Sequence, residues 1–279
     1  MLRCVTASLV LVSLGHAFAG TIDVPADHST IGQAIAAAAT GDTIRIHAGT
    51  YFENLTITGK SLKLVGVGAV IIDGLSGGQP HDSTLWLKSG ADGSVVRNLT
   101  LRHARTSMTG GYGVYVEAEN VVLEKLRIVA CEAGGIRADN DKCVIRKCVI
   151  EGCGNGIEGG SDYVRVEKNV VRNVFGTGIR MSGKAPLVAK NLVENVEFGL
   201  GIDAGASSTR LLGNVVRNVS DQVSIRLNGG GCEAIGNRVE FGSDDDYAVY
   251  VAGSSCVLVG NTIRDYTSVG ISVQATAMG

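Results

Sequence analysis

Proline is scarce in this 279-residue chain, with three residues in all, and aromatic side chains make up only 5%. Neither sign of charge is in excess. The formal net charge of −2 excludes a global electrostatic pull towards nucleic acid or an anionic membrane. After residue 20 no apolar stretch is long enough to cross a bilayer. The closely paired cysteines of a zinc site are also missing from Cys131, Cys143, Cys148, Cys153, Cys232 and Cys256. What is abundant is glycine, 39 residues, together with valine and isoleucine. That composition describes many short buried strands joined by tight turns, and it excludes a disordered chain.

The first residues read as a targeting segment. Arg3 supplies a positive start, Val5 to Leu14 a short apolar stretch, and Ala17-Phe18-Ala19 a small-x-small cleavage signal before Gly20. Residues 1–19 are therefore expected to be a signal peptide, and the mature protein is expected in the periplasm or outside the cell. Cys4 precedes the apolar stretch, which is the wrong place for lipid attachment.

A repeat decides the architecture. An aliphatic residue, usually after glycine, recurs at Val114, Ile136, Ile157, Ile179, Ile202, Ile225, Val249 and Ile271. Asparagine keeps the same interval at Asn169, Asn191, Asn214, Asn237 and Asn261, with Cys148 one turn earlier, and again at Asn173, Asn195 and Asn218. Each unit of about 22 residues holds three apolar stretches too short for helices, alternating with period two. Three short strands per turn specify an all-β, single-stranded right-handed parallel β-helix. Its coils should lie ~4.8 Å apart, so that matched residues stack on themselves. Stacked inward asparagines can then bond amide to amide, which identifies them as structural.

A solenoid must cover its ends. Residues 20–65 read as an N-terminal cap and first coil: a strand Thr21 to Val24, then a helix Thr30 to Ala39 capped by Ser29 or Thr30 and stopped at Gly41. Strands Thr43 to Ile46, Leu55 to Thr58 and Leu62 to Val65 start the winding. Residues 66–279 form the coils. No amphipathic cap follows the Ile271 strand, so that end is expected to continue into further chain or to meet a partner subunit.

Ser29-Thr30-Ile31 with Ala34-Ile35, then Gly41-Asp42-Thr43-Ile44-Arg45-Ile46, then Gly49-Thr50-Tyr51-Phe52-Glu53-Asn54, resembles the opening segment of the pectin-lyase-like superfamily. Pectin methylesterases and periplasmic β-helix proteins begin in this way. The resemblance implies the β-helix fold over the mature chain, and it spans enzymes and non-enzymes alike. The catalytic sets of the superfamily's methylesterases, polygalacturonases, pectate lyases and alginate epimerases have no counterpart here.

Chemistry is sought on the outer faces. The residue after each repeating aliphatic points outward in one column: Tyr115, Arg137, Glu158, Arg180, Asp203, Arg226, Tyr250 and Ser272, with Trp86 continuing it upward. One reading is a cross-strand ion-pair column, since opposite charges on adjacent strands contribute roughly 0.2–1 kcal/mol each. The other is a binding stripe for an acidic glycan. Arginines two coils apart, ~9.6 Å, match the carboxylate spacing of a uronic-acid chain, and Trp86, Tyr115 and Tyr250 could stack on sugar faces. A long connection carrying His103, Arg105 and Gly110-Gly111 falls beside this face.

A lyase would use the arginines to neutralise a uronate and His103 or Arg105 as base. A hydrolase would need Glu158 and Asp203, with backbones ~9.6 Å apart, but Arg180 between them would hold both ionised, which is wrong for a general acid. The expected function is thus an exported protein that binds, or also cleaves, an acidic polysaccharide. The alternative is a non-catalytic structural or assembly protein. No cofactor is implied beyond calcium at Asp244-Asp245-Asp246, for which an exposed acidic turn is the plainer reading. Asp139-Asn140-Asp141 is a second acidic turn. Lys125, Lys147, Lys168 and Lys190 form a corner ridge balanced by Glu124 and Glu167. Cys131/Cys153 and Cys232/Cys256 fall at equivalent positions in adjacent coils, ~4.8 Å apart; the spacing permits a disulfide, while parallel side chains favour buried thiol stacks.

Overall fold

The computed structural model describes residues 19–74, 83–105, 111–220, 222–242 and 247–274. Of the expected signal peptide, residues 1–19, all but Ala19 lies outside the described residues, as do the Asp244-Asp245-Asp246 run and Gly110.

The chain winds into a parallel β-solenoid of about 10 turns, with about 23 residues per turn. Each coil contributes one strand to a 10-stranded parallel sheet; to a 19-stranded sheet that continues round the corner the coils from Val95 on contribute two each, while Thr43–Tyr51 and Lys63–Asp73 run through both places as single strands. Gly134–Ala138, Val144–Arg146 and Val149–Glu151 are the three strands of one coil. Strict register follows from the repeat: Ile136 pairs with Val114 and Ile157, and Ile179 with Ile157 and Ile202. These aliphatics are fully buried, and they form one core with the valines, isoleucines and leucines of the other two strands. The glycine before each of them leaves room for that core. A Cβ on Gly178 would come 2.5 Å from Val193 Cγ1 and 2.6 Å from the Gly201 carbonyl oxygen of the next coil.

The corner between the second and third strands turns on one left-handed residue, Lys125, Lys147, Lys168 or Lys190 in successive coils, with φ between 53° and 57°. The lysine ridge is therefore a turn column, and Lys147 Nζ lies 3.3 Å from Glu124. Inside this corner the asparagine ladder runs as expected. Nδ2 of Asn169, Asn191, Asn214 and Asn237 each donates to Oδ1 of the next asparagine at 3.0 Å. The same Oδ1 also accepts the backbone N–H one coil earlier, beginning with Cys148 N to Asn169 Oδ1 at 2.8 Å.

At the N-terminal end Thr21–Val24 pairs with Thr43–Tyr51, and a helix, Ile31–Ala37, covers the first coil with Ile31, Ala34 and Ile35. It is shorter than the Thr30 to Ala39 expectation at both ends. Thr30 is the cap, accepting from Gln33 N at 3.2 Å, while Ala38 is already extended. Two side chains from the opening segment finish the helix. Glu53 accepts from Ile31 N and Gly32 N at 2.9 and 2.8 Å, and Lys60 Nζ donates to the carbonyls of Ile35, Ala36 and Ala38. At the other end Ile271 is 50% exposed where its counterpart Val249, one coil before, is 2% exposed. The six cysteines Cys131, Cys143, Cys148, Cys153, Cys232 and Cys256 are free thiols.

Candidate functional site

Strand parity and in-register winding place the outer column as one continuous line. Trp86 pairs with Tyr115, Tyr115 with Arg137, Arg137 with Glu158, Glu158 with Arg180, Arg180 with Asp203, Asp203 with Arg226, Arg226 with Tyr250 and Tyr250 with Ser272. Thr56 extends it by one coil beside Trp86. Every residue anticipated for this face is on it.

The charges are paired across coils. Arg226 forks onto Asp203, Nε to Oδ1 at 3.0 Å and Nη2 to Oδ2 at 2.7 Å, and these hydrogen bonds to Asp203 raise the guanidinium above its ordinary value. Arg180 stands between Glu158 and Asp203 at 3.6 Å from each, beyond hydrogen-bond reach. Its one hydrogen bond among the described residues goes to Thr177 Oγ1 at 3.1 Å. Arg137 does not pair with its register neighbour Glu158; it donates to Asp139 at 2.7 Å.

Asp139, Tyr112 and Glu117 complete this surface, and the sequence reading did not include them. Asp139 was read as part of an acidic turn. It lies two residues after Arg137, and that spacing alone returns a side chain to the same face of a strand. It also accepts from the Tyr115 hydroxyl at 3.1 Å. With Asp139 and Glu117, four carboxylates stand with Arg137, Arg180, Arg226 and Lys88, so the surface carries no net charge. Tyr112 reaches two coils along and donates to Glu158 Oε2 at 2.7 Å. Burial first, and then this bond, push its phenol above the ordinary value. Burial likewise raises Tyr115, helped by the charges of Asp139 and Glu117. Glu117 accepts from Trp86 Nε1 at 3.0 Å.

The aromatic residues partly serve one another. Trp86 and Tyr115 stack with centroids 5.5 Å apart at 17°, with Lys88 Nζ 3.9 Å from the Trp86 ring centroid. Tyr250 donates to Gln274 at 2.8 Å and packs on Tyr247.

Two open clefts meet at Arg180. One, about 210 Å³, is lined by Arg137, Asp139, Glu158, Arg180 and Ser182 among others. The other, about 330 Å³, lies between Asn155, Thr177, Arg180, Phe198, Gln222 and Arg226.

His103 and Arg105 are not part of this line. They share a separate concavity with Ala104, Ala130 and Glu132. There His103 Nδ1 sits 3.1 Å from Oδ1 of the buried Asp73, which also accepts from Arg102 Nε at 2.7 Å. Glu158 and Asp203, the carboxylates a hydrolase would need, both act as acceptors within the column's own network. Among the described residues no group of three or more His, Cys, Asp or Glu side chains is placed to hold a metal ion. No described helix is long and apolar enough to cross a membrane.

A family model described as right-handed beta helix region matches residues 83–239. No curated protein matches the chain in sequence. Among solved structures, the Dettilon tailspike protein is similar over 87% of this chain and 61% of its own, at 14% identity and a TM-score of 0.55. An alginate lyase from Paenibacillus sp. str. FPU-7 is similar over 92% of this chain and 98% of its own, at 17% identity and a TM-score of 0.54. Pectate lyase Pel9A is similar over 89% and 79%, at 12% identity and a TM-score of 0.54. At these identities the likeness is one of fold.

Proposed function

The chain belongs to the right-handed β-helix family, and from that premise we propose that it is an exported protein that binds an acidic polysaccharide along the outer column, with Arg180 as the anchor for the polymer's carboxylates. The observation that carries this reading is the state of Arg180. Its side chain is 45% exposed, it lines both clefts, and it approaches two carboxylates without hydrogen-bonding to either. A guanidinium has five donors in a fixed fork, and most of those on Arg180 remain for a ligand. Arg137 and Arg226 are already committed to Asp139 and Asp203, so they shape the line more than they supply free charge. Trp86 and Tyr115, stacked at one end, and Tyr250 at the other offer flat apolar surface for sugar rings. Two of the similar structures are named for alginate and pectate, and that class of polymer is the one this reading takes.

Titration of the protein with polygalacturonate and alginate tests it. Binding should weaken as salt is added, since the anchor is an exposed charge, and Arg180→Gln should weaken it further. No binding to any acidic polymer, or equal binding by the variant, would overturn the proposal.

A second reading, cleavage, is favoured by His103. Asp73 fixes its Nδ1, and Arg105 lines the same concavity. A ring held this way offers Nε2 as a base for the proton beside a uronate carboxylate, with Arg105 neutralising that carboxylate. Elimination would move the C5 proton to Nε2, the C–H electron pair would form the C4–C5 double bond, and the C4–O bond would break, the glycosidic oxygen leaving as a hydroxyl with a proton from solvent water. Unsaturated products that vanish in His103→Gln support it; their absence with every uronate polymer removes it.

A further inference from the structure

Next to the column the solenoid turns a corner that carries two exposed phenylalanines, Phe175 at 60% and Phe198 at 50% exposure. They occupy equivalent places in adjacent coils, where Phe198 N donates to the Phe175 carbonyl at 2.8 Å. Their rings pair at 4.7 Å and 53°. The buried place that Cys131 and Cys153 hold in the two preceding coils is taken here by Val174 and Val196, each 1% exposed. The phenyl rings fall beyond it, past the end of the strand, and turn outward. Large exposed apolar side chains scattered singly need no explanation, but a ring pair on a corner between polar clefts does.

The surroundings of this pair are unequal on its two sides. Phe198 lines the cleft that holds Arg180, Arg226, Thr177 and Gln222. Phe175 lines a concavity on the other side with Asn173, Glu132 and Glu197. Along that second side Asn195 Nδ2 donates to Asn173 Oδ1 at 2.8 Å, and Asn218 Nδ2 to Asn195 Oδ1 at 3.0 Å. This amide line is exposed; Asn195 and Asn218 each use one N–H in it and Asn173 only accepts, so every amide keeps an N–H for a ligand.

We propose that the Phe175–Phe198 corner is a sugar-stacking platform for one acidic pyranose residue, oriented with its anionic group towards Arg180 and its hydroxyls towards the Asn173–Asn195–Asn218 line. This rests on the reading that the chain binds an acidic polysaccharide, and it adds where a residue is gripped and which way it faces. The chemistry matches part by part. A pyranose has an apolar face of C–H groups, which an aromatic ring covers, and a polar rim, which amides and hydroxyls satisfy. The carboxylates of Glu132 and Glu197 repel an anionic group from one side, and the guanidiniums draw it to the other. Charge thereby fixes the orientation that the flat rings alone leave open.

Oligogalacturonate and oligoalginate, each with its carboxyl-reduced counterpart, are titrated into wild-type protein, Phe198→Ala, Phe175→Ala, Phe198→Trp and Arg180→Gln at low and high salt. Phe198→Ala should lower affinity roughly tenfold at both salt concentrations, because stacking is not screened, and Phe198→Trp should restore it. Arg180→Gln should remove the salt dependence and the preference for the acidic over the reduced chain. If wild type binds the acidic oligomers while both alanine variants bind them equally well, the platform is wrong and the polysaccharide reading stands. If wild type binds none of them, both fall. Equal binding of reduced and acidic oligomers by wild type overturns the proposed orientation.

Discussion

Tyr112 and Glu158 are joined across two coils, hydroxyl to carboxylate at 2.7 Å, by a phenol ring that lies over Gly134. A Cβ at Gly134 would stand 2.9 and 3.1 Å from two carbons of that ring. Gly134→Ala should therefore destabilise the fold by about 1–3 kcal/mol, the usual range for overpacking. In a Tyr112→Ala background the same substitution should cost much less, because the ring is gone. Urea unfolding of the four proteins in the cycle reads this coupling. Additive effects would mean that the ring does not fill that space.

The buried and exposed asparagine ladders separate burial from hydrogen bonding. Asn214 Oδ1 accepts from both N and Nδ2 of Asn191, and Asn214 Nδ2 donates to the Val188 carbonyl at 2.8 Å. Asn214→Ala would strand all three groups away from water and should cost about 2–4 kcal/mol. Asn195→Ala breaks bonds of the same length at an exposed corner, where water replaces them, and should cost only about 1 kcal/mol, most of it from the left-handed φ of 56° that Asn tolerates better than Ala. Comparable losses in thermal unfolding would sink the assignment of the inner ladder as the structural one.

These two cases mark what could be read from the letters alone. Asn214 and the column from Trp86 to Ser272 were legible because interval and strand parity are enough to place them: matched residues stack, and alternate residues face out. Tyr112 was not, because its role depends on a side chain that crosses two coils over a missing Cβ. Asp139 sat two residues from Arg137, within reach of the parity rule, but an Asp-Asn-Asp run also describes a turn, and Asn140 and Asp141 do form one. Phe175 and Phe198 fall in bends past the ends of strands Val170–Val174 and Leu192–Val196, outside the strand period that marks the repeat. His103 was placed beside the column by the length of its connection, while the fold ties it to Asp73 round the corner.

Acid should weaken the 19-stranded sheet through Glu151, on strand Val149–Glu151. Hydrogen bonding from Arg172, at 3.1 Å, and the charges of Arg172 and Arg127 hold this carboxyl below its ordinary 4.5, against the opposing effect of desolvation. A carboxylate whose value is lowered by folding contributes stability at neutral pH. That contribution is lost as pH falls from the ordinary value through the depressed one. Melting temperature followed from pH 7 downwards should drop less steeply over that acid window in Glu151→Gln than in wild type. Parallel curves would show that the pair adds nothing to folding.

The free thiols should differ in reactivity by position. Burial pushes Cys148 up to about 12 and Cys143 up to about 11, so almost none of either is thiolate near neutral pH. The neighbouring Cys131 thiol pulls Cys153 below its ordinary value and is itself raised in turn. Cys153 also lines the concavity beside Phe175, where only the glycines Gly152 and Gly154 flank it in sequence. Brief treatment of the native protein with iodoacetamide at about pH 8 should label Cys153 well before Cys143 or Cys148, since the thiolate is the attacking species. Peptide mass mapping without reduction reads both the order of labelling and the pairing. Cys148 labelled as fast as Cys153, or a fragment joining Cys131 to Cys153, would contradict an inner thiol stack with one reactive member.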